Sequence, residues 1–357
     1  MLLAPKERFE EGGAGAFALN VLETSSVSRW RDGITVFGSP VLAPFPAIRF
    51  QPLELPKWSF RGRNIAMAHC YVEVVKASPP DLVEVFNRPV MIRELKRGLP
   101  EVPVALHFGN DPRGMEGSRS VAERRALLAL GVAIVCVSDF IRRCFLEGID
   151  GPLGTRTHVI HTGVPASAVF PVAKEPKIIF AGRIVPEKGV LELVEALARV
   201  LPLHPTWSAE IYGARWFGDD GLLSNYEKAV SRAAGDCRRI VFAGFQPHAR
   251  ITDALRAASI AVVPSGWDDP FPRAALEALA QGCALVCSRR GGLPELGDGR
   301  ALYLDTVSAQ SLEQALQRLI SNDAERLALQ RRGWEDFPFE ICRSTRQLDD
   351  LRDSIFV

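Results

Sequence analysis

The sequence has no apolar run long enough to cross a membrane and no cysteine pattern that points to a metal or a disulfide framework. Its 357 residues contain 7 cysteines, an odd number without paired zinc or disulfide spacing. No apolar run approaches the roughly 20 residues of a membrane-spanning helix, and the start, Met1–Lys6, is too short for a signal peptide. We therefore expect a cytoplasmic protein with reduced thiols.

A charge excess is also absent. Lys and Arg together number 43 against 42 Asp and Glu, a net charge of +1, which is far from the basic balance of nucleic-acid-binding domains. The sequence has no low-complexity segment and no Asp-x-Asp metal-binding element. We expect no nucleic-acid partner, no metal and no cofactor other than a substrate.

What the sequence does contain is a regular alternation of Val- and Ile-rich runs with segments of helical period, typical of parallel strands joined by crossover helices. The length suits two domains of roughly 170 residues. We predict strands at 34–37, 82–86, 103–107, 133–137, 158–160, 177–181, 208–212, 240–243, 259–263, 284–287 and 301–304. The fold class is α/β, with two doubly wound Rossmann-like domains, 1–165 and 177–340, a linker at 166–176 and a C-terminal helix at 341–357.

A glycine-bracketed turn follows the predicted strand 177–181. It reads Gly182-Arg183-Ile184-Val185-Pro186-Glu187-Lys188-Gly189, and a helix is predicted directly after it. Two cations beside a helix N-terminus suit a diphosphate, because Arg183 can bind two oxygens at once and Lys188 supplies a point charge. The alternative is a surface turn with solvated charges.

Two acidic residues flank another turn-to-helix junction. Asp269 and Glu277 are separated by seven residues, and Glu277 is a lone charge in an Ala- and Leu-rich helix. Asp269 has an alternative role as a helix N-cap. The alternative for Glu277 is an exposed ion pair with Arg273, one turn earlier, which contributes only about 0.3 to 0.5 kcal/mol.

The backbone amides at this junction are a further ligand-binding feature. Pro270 and Pro272 have no N–H group. The amides left for a phosphate or a sugar are those of Phe271, Arg273 and Ala274.

Three ordered motifs resemble the retaining family-4 glycosyltransferases with the GT-B fold. They are the Gly-Arg and Glu-Lys-Gly turn, the pair of acids seven residues apart, and Gly291-Gly292-Leu293-Pro294-Glu295. The sequence departs from the family in having Asp269 where Glu is usual and Pro272 where Gly is usual. The resemblance implies two domains that face each other across a cleft, with the C-terminal helix packed back on the first domain.

The resemblance also implies residue roles in binding a nucleotide-diphosphate sugar. Arg183 and Lys188, with Gly182, would hold the diphosphate and neutralise the leaving group. Glu277 would accept hydrogen bonds from the ribose hydroxyls, and Asp269 would accept them from the donor sugar. The departing phosphate would then be stabilised by cations and helix dipoles without a metal.

Candidates in the first half are a glycine cluster and a histidine. Gly12, Gly13 and Gly15 precede an apolar helix; a flexible loop is the alternative to the family's close approach to the donor phosphate. His107 ends the predicted strand 103–107, where the alternatives are a structural histidine and, by resemblance, a residue that positions the sugar.

The function implied is a retaining, metal-independent glycosyltransferase that moves a hexosyl unit to a glycan or glycolipid acceptor, in cell-surface polysaccharide or lipopolysaccharide synthesis. A UDP-sugar is the favoured donor and GDP-mannose the second. The alternatives are a nucleotide-sugar epimerase and a non-catalytic binding subunit. A predicted helix at 90–97, with the basic segment Arg88–Arg97, is either a solvated face or a weak contact with the inner face of a membrane.

Overall fold

A computed structural model describes residues 1–171, 173–215, 223–335 and 337–356 of the chain. The chain divides into two compact units. Unit 1 comprises Met1–Gly163 and Ile341–Val357, and unit 2 comprises Val164–Glu340. Both are α/β structures with parallel sheets, as the alternating pattern predicts.

The regular elements follow the predicted order. The strands are β1 (Thr35–Gly38), β2 (Arg49–Pro52), β3 (Val83–Phe86), β4 (Val104–Phe108), β5 (Ala133–Cys136), β6 (Thr157–Val159), β7 (Glu175–Ala181), β8 (Ser208–Tyr212), β9 (Ile240–Gly244), β10 (Ala258–Val263), β11 (Ala284–Ser288) and β12 (Ala301–Leu304). The helices are α1 (Ala16–Val27), α2 (Arg63–Val75), α3 (Ile92–Gly98), α4 (Val121–Ala129), α5 (Asp139–Leu146), α6 (Val190–Val200), α7 (Asn225–Ala233), α8 (His248–Ala257), α9 (Arg273–Ala280), α10 (Ala309–Ser321), α11 (Asp323–Trp334) and α12 (Ile341–Phe356).

The sheet of unit 1 runs β3-β4-β5-β6, beside a two-stranded sheet of β1 and β2. Leu2 forms parallel bridges with Phe37 of β1 and Val85 of β3, so the first residues lie between the two sheets. All residues of β3 and β4 are buried, as expected for a parallel sheet with helices on both faces. Strand β2 was not predicted, because it has an exposed pattern and no apolar run.

The sheet of unit 2 has the order β9-β8-β7-β10-β11-β12, and all its pairs are parallel. Counted along the chain this is the order 3-2-1-4-5-6 of a doubly wound dinucleotide-binding fold. Its direction reverses between β7 and β10, the first and fourth strands. Ligands of such sheets bind beyond the carboxyl ends of the strands at this reversal.

Helix α6 illustrates how the sequence covers this sheet. Its buried residues, Val190, Leu193, Val194, Leu197 and Val200 with Ala196, recur at intervals of three and four, so they form one apolar stripe. Helix α10 packs beside it in the same core. Burying a side chain of this size contributes roughly 1.5 to 3 kcal/mol, which makes α6 a rigid support for the turn that precedes it.

The boundary between the units falls between residues 163 and 164. The predicted linker, 166–176, therefore lies within unit 2, where Ser167 donates to the Gln281 side chain at 2.7 Å and Lys174 to the Gln281 carbonyl at 2.6 Å. It contains two prolines and no periodicity, yet these polar contacts attach it to the end of α9. Helix α12 belongs to unit 1. No helix within the described ranges has the length and hydropathy of a membrane span.

Candidate functional site

The three sequence motifs emerge at one edge of the unit 2 sheet. Strands β7 and β10 are parallel neighbours, with Ile178 opposite Ile260 and Ile179 opposite Ala261. The Gly182–Gly189 turn follows β7, the Pro264–Asp269 loop follows β10, and Gly291 lies just beyond β11. Parallel strands end on the same side, so the fold brings these segments together at the topological reversal.

The turn after β7 is fixed against the loop after β10 by a close backbone approach. Gly189 precedes α6 in a left-handed conformation, with φ of 65°. A Cβ atom there would lie 2.1 Å from the Pro264 carbonyl oxygen, so only glycine fits. The Gly266 N–H also donates to the Glu187 carbonyl at 2.9 Å.

The third motif holds Asp269 in the same way. The Gly292 N–H donates to the Asp269 carbonyl at 2.8 Å. Gly291 has a φ of 58°, and a Cβ atom there would lie 2.1 Å from the same carbonyl oxygen. The backbone of Asp269 is therefore fixed by residues that follow another strand.

Lys188 and Asp269 form an ion pair across this edge. The ammonium of Lys188 contacts Asp269 Oδ2, which also accepts a hydrogen bond from the Ser265 hydroxyl at 3.1 Å. Asp269 is only 4% exposed. The ring centroid of Trp267 lies 5.7 Å from Lys188 Nζ, within the range of a cation–π contact. Lys188 is thus a positioned cation and not a solvated surface charge.

The structure excludes the capping alternative for Asp269. Helix α9 begins at Arg273, its N-cap is Pro272, and no side chain caps it. The carboxylate of Asp269 instead faces Lys188. This pairing places a carboxylate and an ammonium group side by side, where a ligand could contact both.

Arg183 follows β7 directly and is partly buried. Within the described parts of the chain, no carboxylate forms an ion pair with its guanidinium. Gly182 is held by a hydrogen bond from its N–H to the Tyr212 carbonyl at 3.0 Å. The backbone before Arg183 is therefore anchored to β8.

Glu277 lies on α9 and has two cationic or polar partners. Its Oε1 atom is 2.5 Å from Arg273 Nε and 2.7 Å from His248 Nε2. Burial alone would raise the pKa of Glu277, but the charge of Arg273 and the hydrogen bond from His248 outweigh it and lower that pKa. The predicted pair with Arg273 exists, but it is buried, with side-chain exposures of 10% and 12%. Glu277 is therefore ionised at neutral pH.

The other donor-binding candidates lie around the start of α9. Phe271 is 6% exposed, and its ring packs on Phe339 with centroids 5.2 Å apart. Its side chain belongs to the core, so only its backbone is available to a ligand. Ala274 is partly buried in the first turn of α9, next to Arg273.

His107 lies in unit 1, near the end of β4, and is buried. Its Nε2 atom is 3.1 Å from Glu84 Oε2, and its ring stacks on Phe86 with centroids 4.6 Å apart. Glu84 in turn accepts a hydrogen bond from Arg352 of α12 at 2.6 Å. Burial alone would raise the pKa of Glu84, but Arg352 and His107 outweigh burial and hold that pKa well below its ordinary value.

The remaining unit 1 candidates are loop residues. Gly12 has a φ of 76° and open space around it, while Gly13 lies against the Arg8 side chain and Gly15 against Glu7. Gly15 precedes α1. These positions lie in a turn before the helix, in the arrangement that the sequence indicates.

The predicted helix 90–97 is observed as α3, which begins two residues later than predicted, within the basic segment Arg88–Arg97. Pro89–Met91 forms a short 3-10 turn and α3 begins only at Ile92. Lys96 donates to the Pro100 carbonyl at 2.7 Å, and Arg97 pairs with Glu94 at 2.8 Å. Ile92 is buried, and Arg88 donates to the Asn87 carbonyl at 2.7 Å, so Arg88, Lys96 and Arg97 are engaged within unit 1, while Arg93 is exposed.

Sequence reasoning missed His248, Glu84 and Arg352. His248 begins α8 after a proline and has no motif around it. Glu84 did carry a signal, because a carboxylate within a buried strand requires a partner. The partner, Arg352, lies 268 residues away, and no local pattern connects the two.

Comparisons with known proteins agree with this geometry. Residues 167–335 match the family model of the glycosyl transferases group 1. The putative glycosyltransferase YtcC of Bacillus subtilis is 28% identical over 328 residues, covering 85% of this chain and 78% of that protein.

Two solved structures share the fold across nearly the whole chain. Anabaena Alr3699/HepE, in complex with UDP-glucose, matches with a TM-score of 0.76 at 18% identity, covering 99% of this chain and 98% of that one. WaaG, a glycosyltransferase involved in lipopolysaccharide biosynthesis, matches with a TM-score of 0.70 at 13% identity and 98% coverage of both. The chain therefore shares the α/β fold of these two structures, which is the GT-B fold, and its residues 167–335 match the model of the glycosyl transferases group 1.

Proposed function

We propose that this protein is a retaining, metal-independent hexosyltransferase that uses a nucleotide-diphosphate sugar. A UDP-sugar is the favoured donor, with GDP-mannose as the second candidate. The observation that carries the proposal is the fixed pair of Lys188 and Asp269 at the reversal between β7 and β10, on the turn that also carries Arg183. UDP-glucose is the ligand of the Anabaena structure with the same fold.

Lys188 and Arg183 are proposed to bind the diphosphate. Cleavage of the anomeric C–O bond leaves the electron pair on the diphosphate oxygen, and fixed cations stabilise that charge most when little water screens them. Lys188 is 18% exposed and already positioned by Asp269. These two side chains take the part that a divalent ion has in other transferases.

Glu277 is proposed to bind the ribose. Its two hydrogen bonds to protein both use Oε1, and no described residue donates to Oε2. A carboxylate oxygen has lone pairs for hydroxyl donors. Arg273 and His248 therefore fix the carboxylate and keep it ionised while Oε2 accepts the ribose hydroxyls.

Asp269 and His107 are proposed to position the donor sugar. The Oδ2 atom of Asp269 is occupied by Lys188 and Ser265, which leaves Oδ1 for sugar hydroxyls. His107 is held by Glu84 in unit 1. The glycines Gly12, Gly13 and Gly15 are proposed to let backbone approach the donor phosphate.

In the transfer step an acceptor hydroxyl attacks the anomeric carbon from the face that the diphosphate leaves. The new C–O bond forms as the bond to the diphosphate breaks, and the hydroxyl proton passes to the departing phosphate oxygen. The configuration is therefore retained. We propose a glycan or lipid-linked acceptor in cell-surface polysaccharide or lipopolysaccharide synthesis, in the cytoplasm or at the inner membrane face, with WaaG as the comparable case.

Donor turnover with and without acceptor tests the proposal. The purified protein is incubated with UDP- and GDP-sugars in the presence of a chelator, and release of the nucleotide diphosphate is followed. Release that requires an acceptor and survives chelation supports it. Interconversion of the sugar without acceptor would favour an epimerase, and binding without turnover across many acceptors would favour a non-catalytic subunit.

Two variants at the site and one control variant elsewhere test whether the positions of the cations matter for activity. Arg183→Met and Lys188→Met should each lower kcat/KM by at least about 30-fold, or about 2 kcal/mol of transition-state stabilisation. Arg199→Met removes the same charge near the other end of α6, where the side chain is exposed. Its activity should equal that of the wild type.

A further inference from the structure

Unit 1 displays two fully exposed aromatic side chains on one short loop. Trp58 is 89% exposed and Phe60 is 109% exposed. The segment Lys57–Arg63 that carries them, which ends at the first residue of α2, is here called the aromatic-basic loop. Single exposed apolar residues are ordinary, but two large aromatics at alternate positions form a patch that calls for a partner.

The aromatic-basic loop is held in shape from within the protein. The Gly62 N–H donates to the Ser59 carbonyl at 3.2 Å, and the Ser59 hydroxyl donates to the Gly62 carbonyl at 3.1 Å. Arg61 is tied to Glu94 of α3 at 2.6 Å. These contacts hold the turn and leave the two aromatic rings pointing into solvent.

Cations surround the aromatic pair. Lys57 and Arg63 are exposed, and within the described ranges no carboxylate forms an ion pair with either. Aromatic rings that enter the interface of a bilayer, flanked by Lys and Arg that meet lipid phosphates, are the usual pattern of a peripheral anchor. Lys is depleted at the centres of protein interfaces, so this composition favours a lipid surface over a protein partner.

A cationic pocket adjoins the aromatic-basic loop through Arg63. It has a volume of about 350 Å³ and is lined by Lys6, Arg63 and Arg88 with Asn64, Asn87 and Glu116 among other residues. The three cations exceed the one lining carboxylate, Glu116. Glu7 also acts on Arg88 electrostatically. The pocket is therefore net positive and large enough for a phosphate headgroup.

We propose that the aromatic-basic loop and the cationic pocket dock unit 1 on an anionic lipid surface. Trp58 and Phe60 enter the interfacial layer, while Lys57, Arg63 and the pocket face lipid phosphates. This surface shares Arg88 with the basic segment Arg88–Arg97, but the aromatic-basic loop lies outside that segment, and Lys96 and Arg97 are engaged within the protein. The proposal concerns lipid binding alone and does not depend on the donor chemistry.

Co-sedimentation of the full chain with vesicles tests the proposal. Vesicles of phosphatidylcholine alone are compared with vesicles that also contain phosphatidylglycerol. The protein should bind the anionic vesicles at least about tenfold more tightly, a difference of about 1.4 kcal/mol, and added salt should weaken binding. Equal binding to both vesicles, or none, would overturn the proposal.

Two double variants locate the surface. Trp58→Ser with Phe60→Ser, and Lys57→Gln with Arg63→Gln, should each reduce binding to anionic vesicles at least about tenfold. UDP binding serves as the check of folding and should not change. Wild-type vesicle binding by either double variant would refute the assignment.

Matched controls change similar groups elsewhere. Val169→Ser removes an apolar side chain that is 75% exposed in unit 2, and Arg119→Gln with Arg125→Gln removes two cations of unit 1 that lie away from the loop in sequence. Both should bind vesicles as the wild type does. Displacement by glycerol phosphate at constant ionic strength would instead indicate a site for a soluble phosphate ester and would overturn the lipid assignment.

Discussion

Replacing Asp269 with asparagine separates two roles of its carboxylate. In the free protein, the carboxylate of Asp269 forms an ion pair with the ammonium group of Lys188. A diphosphate that binds Lys188 has to compete with this carboxylate. An asparagine side chain at this position would keep the size and an acceptor oxygen but not the charge, so UDP binding should become stronger while sugar transfer becomes slower.

The size of the effect follows from the burial of the pair. Two unit charges 4 Å apart interact by about 4 kcal/mol at an effective dielectric constant of about 20. The side chains of Lys188 and Asp269 are 18% and 6% exposed, and the hydrogen bond to asparagine offsets part of the loss. We expect UDP affinity to rise about tenfold, or about 1.4 kcal/mol, and the free energy of unfolding to fall by about 1 to 2 kcal/mol.

Calorimetric titration with UDP, urea unfolding and donor turnover measure the three quantities. Asp253→Asn is the control, because Asp253 pairs with Arg256 on α8 with both side chains more than half exposed, and such pairs contribute little. Asp253→Asn should leave all three unchanged. If Asp269→Asn weakened UDP binding by the same factor as turnover, competition for Lys188 would be refuted.

Three further predictions concern Gly189, Asp269 and Glu84. Gly189→Ala should lower the free energy of unfolding in urea by at least about 2 kcal/mol more than Gly235→Ala does. Both glycines have positive φ, but only at Gly189 would a Cβ atom collide with a carbonyl oxygen. Equal losses would contradict the close approach. Asp269→Glu should fold normally and change donor preference or rate, and no effect on either would remove its sugar role. Burial favours the neutral form of Glu84, but Arg352 and His107 together outweigh burial and lower the pKa of Glu84. The stabilisation from its charge is therefore present above about pH 4.3 and is lost as pH falls. Glu84→Gln should therefore lose stability at neutral pH and decline less steeply in acid; an unchanged urea–pH profile would argue against this.

The positions of the elements follow from local sequence. Every predicted strand coincides with an observed one to within two residues, because buried parallel strands are continuous apolar runs. Strand β2 escaped prediction because it is exposed and reads like a loop. The segment 166–176 was interpreted as a linker from its prolines, whereas long-range contacts, among them those with Gln281 and Trp334, attach it to unit 2.

The candidate site was predictable in its motifs but not in its pairings. Arg183, Lys188, Asp269 and Glu277 stand out because charge beside glycine and proline at a strand end is a local pattern. That Lys188 meets Asp269, 81 residues away, depends on the pairing of β7 with β10.

The second partner of Glu277, His248, could likewise not be predicted from local sequence. The sequence suggested a surface pair with Arg273, whereas the fold buries the pair and adds His248 from α8. Burial depends on the packing of α8 against α9, and no residue near Glu277 encodes it.

Binding of UDP in the presence of a chelator, measured by calorimetry on the wild type, Arg183→Met and Lys188→Met, tests the central claim most directly. The cations at the end of β7 and at the start of α6 are predicted to bind the diphosphate, so the wild type should bind without metal and each variant should lose at least about tenfold in affinity, or about 1.4 kcal/mol. Equal affinity in all three proteins, or a wild type that binds only when a divalent ion is restored, would contradict it.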